Sequence, residues 1–191
     1  MGYLSHHLAE VRLGKVGPFV RGDVLDLGCG TAEVAKRYGD QIDCYVGVDM
    51  RQNVIDKNKS DLPGCEFHCL RLDDANLHLS RQFDAILMVA LIEHIFNQKL
   101  FFEQAAKHLK PNGSILITTP TPLGNDVVHR LGAQVGLFAR SAADDHIVIY
   151  NKHRFHILAS EVGLRLDHYE TFEFGCNQFA ILRKSTAAER H

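Results

Sequence analysis

Apolar and polar positions alternate along this chain with two different periods. Leu4, Leu8, Val11 and Val16 recur at roughly helical spacing, which predicts an amphipathic helix at the start. Val24, Leu25 and Leu27 form a continuous apolar run, the pattern of a parallel strand buried on both faces. Residues 32–38 read as a helix, 44–50 as a second strand ending beside an acid, and 51–59 as a polar helix stopped by Pro63-Gly64. A third strand is expected over 65–72 and a fourth, apolar on both faces, over 83–91. Asn97 is placed to cap a helix over 98–109, Lys-Pro-Asn-Gly at 110–113 predicts a turn, and 114–120 a fifth strand. Residues 121–150 break this rhythm. Asn151 would cap a helix over 152–162, and 164–174 and 177–184 read as two strands joined through Gly175-Cys176.

Strands alternating with helices imply an α/β fold with a doubly wound, mostly parallel sheet and ligands at the carboxyl ends of its strands. The closing hairpin adds an antiparallel strand. One domain over 1–191 is expected, without linker, repeat or low-complexity tract. Composition changes this picture little. The formal net charge is −2 with no basic stripe, which argues against a nucleic-acid partner. Five cysteines, an odd number with no Cys-x-x-Cys pair, fit a reduced, cytoplasmic protein better than a disulfide scaffold or zinc ribbon. No apolar run reaches the roughly 18 residues of a membrane span, so no transmembrane segment is expected. The apolar face of 127–137 leaves contact with a membrane surface open, beside a plainer capping role. His153 and His156 share a helix face without a third ligand, so no metal site is expected.

The chemistry concentrates after the first strand. Asp26 interrupts the apolar run, and a carboxylate there is costly unless something satisfies it. Gly28-Cys29-Gly30 then removes bulk from the bend into the helix. Read as a dinucleotide fingerprint, Gly-x-Gly-x-x-Gly, the loop fails at its third glycine, where Glu33 stands. Glu33 would also put an anion where a pyrophosphate would sit. Both points oppose NAD.

Residues 24–38, "VLDLGCGTAEVAKRY", closely resemble the first motif of class I S-adenosylmethionine-dependent methyltransferases. The resemblance continues in "YVGVDM", like that family's second-strand acidic motif, in "FDAILMVALIEHI" and "LKPNGSILITTP", like its fourth and fifth strands, and in the final hairpin. "LIEHI" and "TTPTPLG" look most like the branch acting on small metabolites and lipid-linked molecules, such as quinone O-methyltransferases. The resemblance implies a seven-stranded sheet of order 3-2-1-4-5-7-6 with strand 7 antiparallel, and S-adenosyl-L-methionine as cofactor. The residues agree. That cofactor carries no phosphate, so no basic cradle is required. Gly28, Cys29 and Gly30 let backbone approach it, and Asp26 can help hold its ammonium end through water or backbone groups. Asp49 lies 21 residues after Gly28, near the usual offset of about 20 for an acid that takes ribose hydroxyls. Met50 follows as an apolar wall for adenine, and Val89 could line the same pocket. The resemblance further implies an acid after the third strand that meets the adenine amino group; Asp73 and Asp74 are both candidates.

Methyl transfer from a sulfonium is an in-line displacement with a neutral leaving group, so alignment is the main requirement. A hydroxyl acceptor also needs a base. Glu93 and His94 follow the fourth strand, and His146 precedes the last crossover helix; these are the candidate catalytic residues, with His129 between. His94 is favoured because its strand end points at the cofactor in this topology. A plainer role, a hydrogen bond ordering the loop, competes for it. Residues 121–150 are expected to form a lid over the acceptor. The expected function is transfer of a methyl group to an oxygen, nitrogen or carbon of a small-molecule or lipid-linked acceptor. The alternative is a non-catalytic scaffold that binds the cofactor.

Overall fold

The computed structural model describes residues 3–74, 77, 79–124 and 148–185. Strands β1 (Gly22–Leu27), β2 (Ile42–Asp49), β3 (Glu66–Cys69), β4 (Phe83–Val89), β5 (Leu109–Pro120), β6 (Leu164–Phe172) and β7 (Asn177–Lys184) form one sheet, ordered β3-β2-β1-β4-β5-β7-β6. β1 to β5 pair in parallel, and β7 runs antiparallel to both β5 and β6. This is the order that the family resemblance implies.

Helices among the described residues include α1 (Tyr3–Val16), α2 (Glu33–Tyr38), α3 (Gln52–Asp61), α4 (Gln98–Lys107) and α5 (Lys152–Glu161). The continuous apolar runs are explained by burial on both sheet faces. Leu25, Leu27, Ile86, Met88, Ile115 and Ile117 pack under Phe101 and Phe102 of α4 and Phe155 of α5. Val24, Ala85, Leu87 and Leu116 pack on the opposite face, under Leu13 and Val16 of α1, Val34 of α2 and Ile55 of α3. Both asparagine caps form. Asn97 Oδ1 accepts from the Leu100 N–H at 3.3 Å, and Asn151 Oδ1 from the Arg154 N–H at 2.9 Å.

Two expectations are corrected. The 110–113 segment is not a turn ahead of β5 but a bulge within it. Leu109 pairs with Phe83 and Ser114 with Ala85, so the residues between loop out. Lys110 pins the bulge, donating to Asp23 Oδ2 at 2.8 Å and Asp84 Oδ2 at 2.7 Å. β3 is also shorter than the 65–72 expected. It pairs only with β2, and after it the chain tightens into the turn Leu72–Asp74, which buries Leu72. No helix among the described residues is long and apolar enough to cross a membrane.

The parallel strands all end on one edge of the sheet, at Leu27, Asp49, Cys69, Val89 and Pro120. Both described ends of the 121–150 segment attach at this edge. The Thr121 N–H donates to the Cys176 carbonyl at 2.9 Å, and Gln178 Nε2 donates to the Tyr150 carbonyl at 2.8 Å. His129, His146 and the body of the expected lid lie outside the described residues.

Candidate functional site

The β1–α2 loop folds back over the end of β2. The N–H groups of Gly28 and Cys29 both donate to the Val48 carbonyl, at 2.8 and 2.9 Å. The Gly30 N–H donates to Asp49 Oδ2 at 3.0 Å. Gly28 holds φ +74° and Gly30 φ +51°, left-handed values that favour glycine. An added Cβ at Gly28 would also stand 2.9 Å from Leu91 Cδ1. The loop therefore spends its N–H groups on β2. A phosphate cradle needs such donors turned outward, so the geometry joins Glu33 in opposing a dinucleotide.

Asp26 and Asp49 lie on β1 and β2 in different environments. Asp26 is buried, and Tyr45 donates its hydroxyl to Asp26 Oδ2 at 2.6 Å. Burial pushes the Asp26 carboxyl up to about 7; the Tyr45 hydrogen bond pulls against this and the Asp49 charge adds to it. Gly47, which pairs with Asp26, makes room: a Cβ there would meet the Phe67 ring at 2.8 Å and Cys29 Sγ at 3.0 Å. Asp49 has only its edge in solvent. Burial raises its pKa, but hydrogen bonds and charge from Arg51, with the Gly30 N–H, overcome this and hold it below the usual value.

A cavity of about 510 Å³ opens at the carboxyl ends of β1, β2 and β4. Gly28, Asp49, Met50, Asp73 and His94 all line it, so five of the residues singled out in the sequence meet there. Leu70, Leu72, Leu91 and Ile95 supply apolar wall. Met50 is 62% exposed on the cavity lining. Asp73 Oδ1 accepts from the Phe96 N–H at 2.8 Å, tying the turn after β3 to the loop after β4. Asp74 follows in the same turn. Ala90, also on the wall, holds φ +50° and donates its N–H to the Thr118 carbonyl at 2.8 Å. The volume lies in the range of small-molecule pockets, roughly 300–1,000 Å³.

Cys29, Val89 and Glu93, among the described residues singled out, are not part of the cavity wall. Cys29 is buried behind the loop. Val89 packs among the core residues on the α1 side of the sheet. Glu93 and His94, adjacent in sequence, part company: His94 is exposed on the cavity, whereas Glu93 is 1% exposed and accepts from the Thr119 hydroxyl at 2.8 Å. Burial pushes the Glu93 carboxyl up, against its own backbone N–H, the Arg12 charge and the Thr119 hydroxyl. Sequence reasoning missed three residues. Arg51 binds Asp49 through its guanidinium. Tyr45 partners Asp26. Arg12 of α1 donates from Nε and Nη2 to Asn177 Oδ1, at 3.2 and 2.7 Å. Only Arg51 had a local signal, its place two residues after the acid.

Comparisons with known proteins agree with this geometry. The chain matches a family model described as a methyltransferase domain over residues 4–169. It is similar to the ubiquinone biosynthesis O-methyltransferase of Bradyrhizobium diazoefficiens, 31% identical over 104 residues, covering 50% of this chain and 39% of that protein. The enzyme of the same name from Bartonella tribocorum is 32% identical over 111 residues, 53% of this chain and 42% of that one. The chain thus spans well under half the length of these curated relatives. Among solved structures, the DhpI–SAM–HEP complex superposes with a TM-score of 0.71 at 18% identity, covering 95% of this chain and 87% of that one. An S-adenosylmethionine-dependent methyltransferase from Clostridium acetobutylicum gives 0.70 at 13% identity, covering 94% and 91%. The last two establish the shared fold. Sheet order, clamped glycine loop and family match together show that this chain belongs to the class I S-adenosylmethionine-dependent methyltransferases.

Proposed function

We propose that the protein moves a methyl group from S-adenosylmethionine to an oxygen, nitrogen or carbon of a small-molecule or lipid-linked acceptor. The observation that carries this is the cavity in which the Asp49-clamped loop, Met50, Asp73 and His94 converge. These residues fit the cofactor's chemistry. Asp49 is ionised and can accept from both hydroxyls of a ribose diol. Met50 and Leu70 offer apolar surface to adenine, and Asp73 a carboxylate oxygen to its amino group. Asp26 lies behind the loop, where burial holds its carboxyl at about 7 and a neighbouring ammonium group would favour its ionised form.

When bound, the cofactor supplies a sulfonium-activated methyl carbon whose leaving group is a neutral thioether. The chain's own task is to orient the acceptor, exclude water and take a proton where the acceptor is a hydroxyl. His94 is the singled-out base on the cavity wall; Glu93 instead holds the Ile92–His94 turn to β5 through Thr119. The acceptor side is assigned to 121–150, whose described ends attach at the same edge. The curated relatives' names support a hydroxylated, lipid-linked ring as acceptor.

Incubation with S-adenosylmethionine and hydroxylated aromatic acceptors of varied tail length tests this. Released S-adenosylhomocysteine and a methylated product by mass spectrometry are expected. His94→Ala should lower kcat for a hydroxyl acceptor by about 10²-fold or more while leaving cofactor affinity intact. Cofactor binding with no turnover on any acceptor would instead favour the scaffold role.

A further inference from the structure

Four hydrogen bonds converge on the Asp49 carboxylate. Two come from the backbone: Gly30 N–H on Oδ2 and Arg51 N–H on Oδ1, each at 3.0 Å. Two come from the Arg51 guanidinium: Nε on Oδ1 at 3.0 Å and Nη2 on Oδ2 at 3.1 Å. A carboxylate offers about four lone-pair sites, so each oxygen is filled by one backbone donor and one guanidinium donor. The two kinds of donor differ in what it takes to remove them. The backbone donors belong to the β1–α2 loop and to the entry into α3, and losing them means refolding the loop. The Arg51 side chain is 56% exposed, against 8% for Asp49, and can leave by rotating its own torsions.

A ribose cis diol presents two hydroxyl donors on adjacent carbons, one for each oxygen of a facing carboxylate. That demand is the one the guanidinium already meets, on the same two lone-pair sites. We infer that Arg51 is a built-in competitor at the cofactor site: its guanidinium holds the two positions on Asp49 that the ribose diol needs and is exchanged for the diol when the nucleoside binds. The inference rests on Asp49 being the ribose acceptor.

Two consequences follow from this exchange. The guanidinium keeps Asp49 oriented, so the carboxylate is pre-set for a two-donor ligand. It also competes. Any nucleoside that uses Asp49 must first displace the guanidinium, so Arg51 lowers the affinity for every such ligand by one common factor.

Calorimetry with S-adenosylhomocysteine tests the exchange in the native chain, Arg51→Ala, Arg51→Lys, Asp49→Asn and the Asp49→Asn/Arg51→Ala double variant. Arg51→Ala should bind about two- to tenfold more tightly than native, the range for freeing a partly exposed, bidentate ion pair. Arg51→Lys should fall between, since one ammonium cannot span both oxygens. Added salt should shrink the difference, because the displaced pair is exposed to screening. In the Asp49→Asn background the Arg51→Ala change should have no effect. Equal or weaker binding by Arg51→Ala, with Asp49→Asn still impaired, overturns the exchange alone. Native-like binding by Asp49→Asn overturns the ribose reading of Asp49 and the exchange together.

Discussion

Asp26 and Asp49 lie close together on neighbouring strands, yet the fold drives their acidities apart. Among the described residues Asp26 has a hydroxyl donor and no cation beside it, whereas Asp49 has two backbone donors and a guanidinium. Asp26 therefore takes up a proton on folding. Its folded value of about 7 lies above the unfolded value of ~3.9. Its contribution to stability is fully present below about pH 4, and is lost as pH rises through about 7. Three units correspond to at most about 4 kcal/mol. Urea denaturation of Asp26→Asn between pH 4.5 and 7.5 should show a flatter profile than native. Tyr45→Phe removes the bond that favours the carboxylate, so its midpoint should move upward. Asp49→Ala acts on the ligand instead: cofactor affinity should fall by about 1.5–3 kcal/mol, the worth of hydrogen bonds to a charged group, as read by calorimetry.

At the scale of elements, the site depends on how closely β1 and β2 approach at their carboxyl ends. Gly47 has no left-handed φ to justify it; its reason is space, since Phe67 and Cys29 occupy where a side chain would go. Gly47→Ala should destabilise the protein by about 1–3 kcal/mol through overpacking. It should also weaken cofactor binding, because a displaced Cys29 pulls on the Val48–Gly28 clamp. Denaturant midpoints paired with cofactor titration separate the two effects. The α4 cap is a contrasting case, since α4 packs on the opposite face of the sheet from Phe67 and Cys29. Asn97→Ala should cost about 1 kcal/mol of stability and leave cofactor affinity as it was.

For the whole molecule, the proposed cofactor cavity lies across three strand ends, and a ligand that binds the folded chain alone must stabilise it. At a hundred times its dissociation constant, S-adenosylhomocysteine should add about 2.7 kcal/mol. For a chain of this size that raises Tm by roughly 5–11 °C. NAD at the same concentration should leave Tm unchanged, since the loop N–H groups are turned to Val48 and Asp49 rather than outward. Thermal scans with each ligand check both statements.

The sequence by itself determined the elements and their order. Runs such as Val24–Leu27 are short, apolar and punctuated by glycine, and burial on both faces leaves such a run few alternatives. It also determined that Gly28, Asp49 and Met50 would share one cavity, because they sit at strand ends that a parallel sheet necessarily brings to one edge. Only the tertiary structure decided the partners. That Tyr45 serves Asp26, that Arg12 reaches Asn177, and that Glu93 turns inward while His94 faces the cavity all depend on side-chain direction across elements. The bulge at Lys110 belongs to the same class, since Lys110 pairs there with aspartates on β1 and β4. Periodicity reports which face of an element is buried; which group a polar atom meets there is set by packing between segments far apart in the chain.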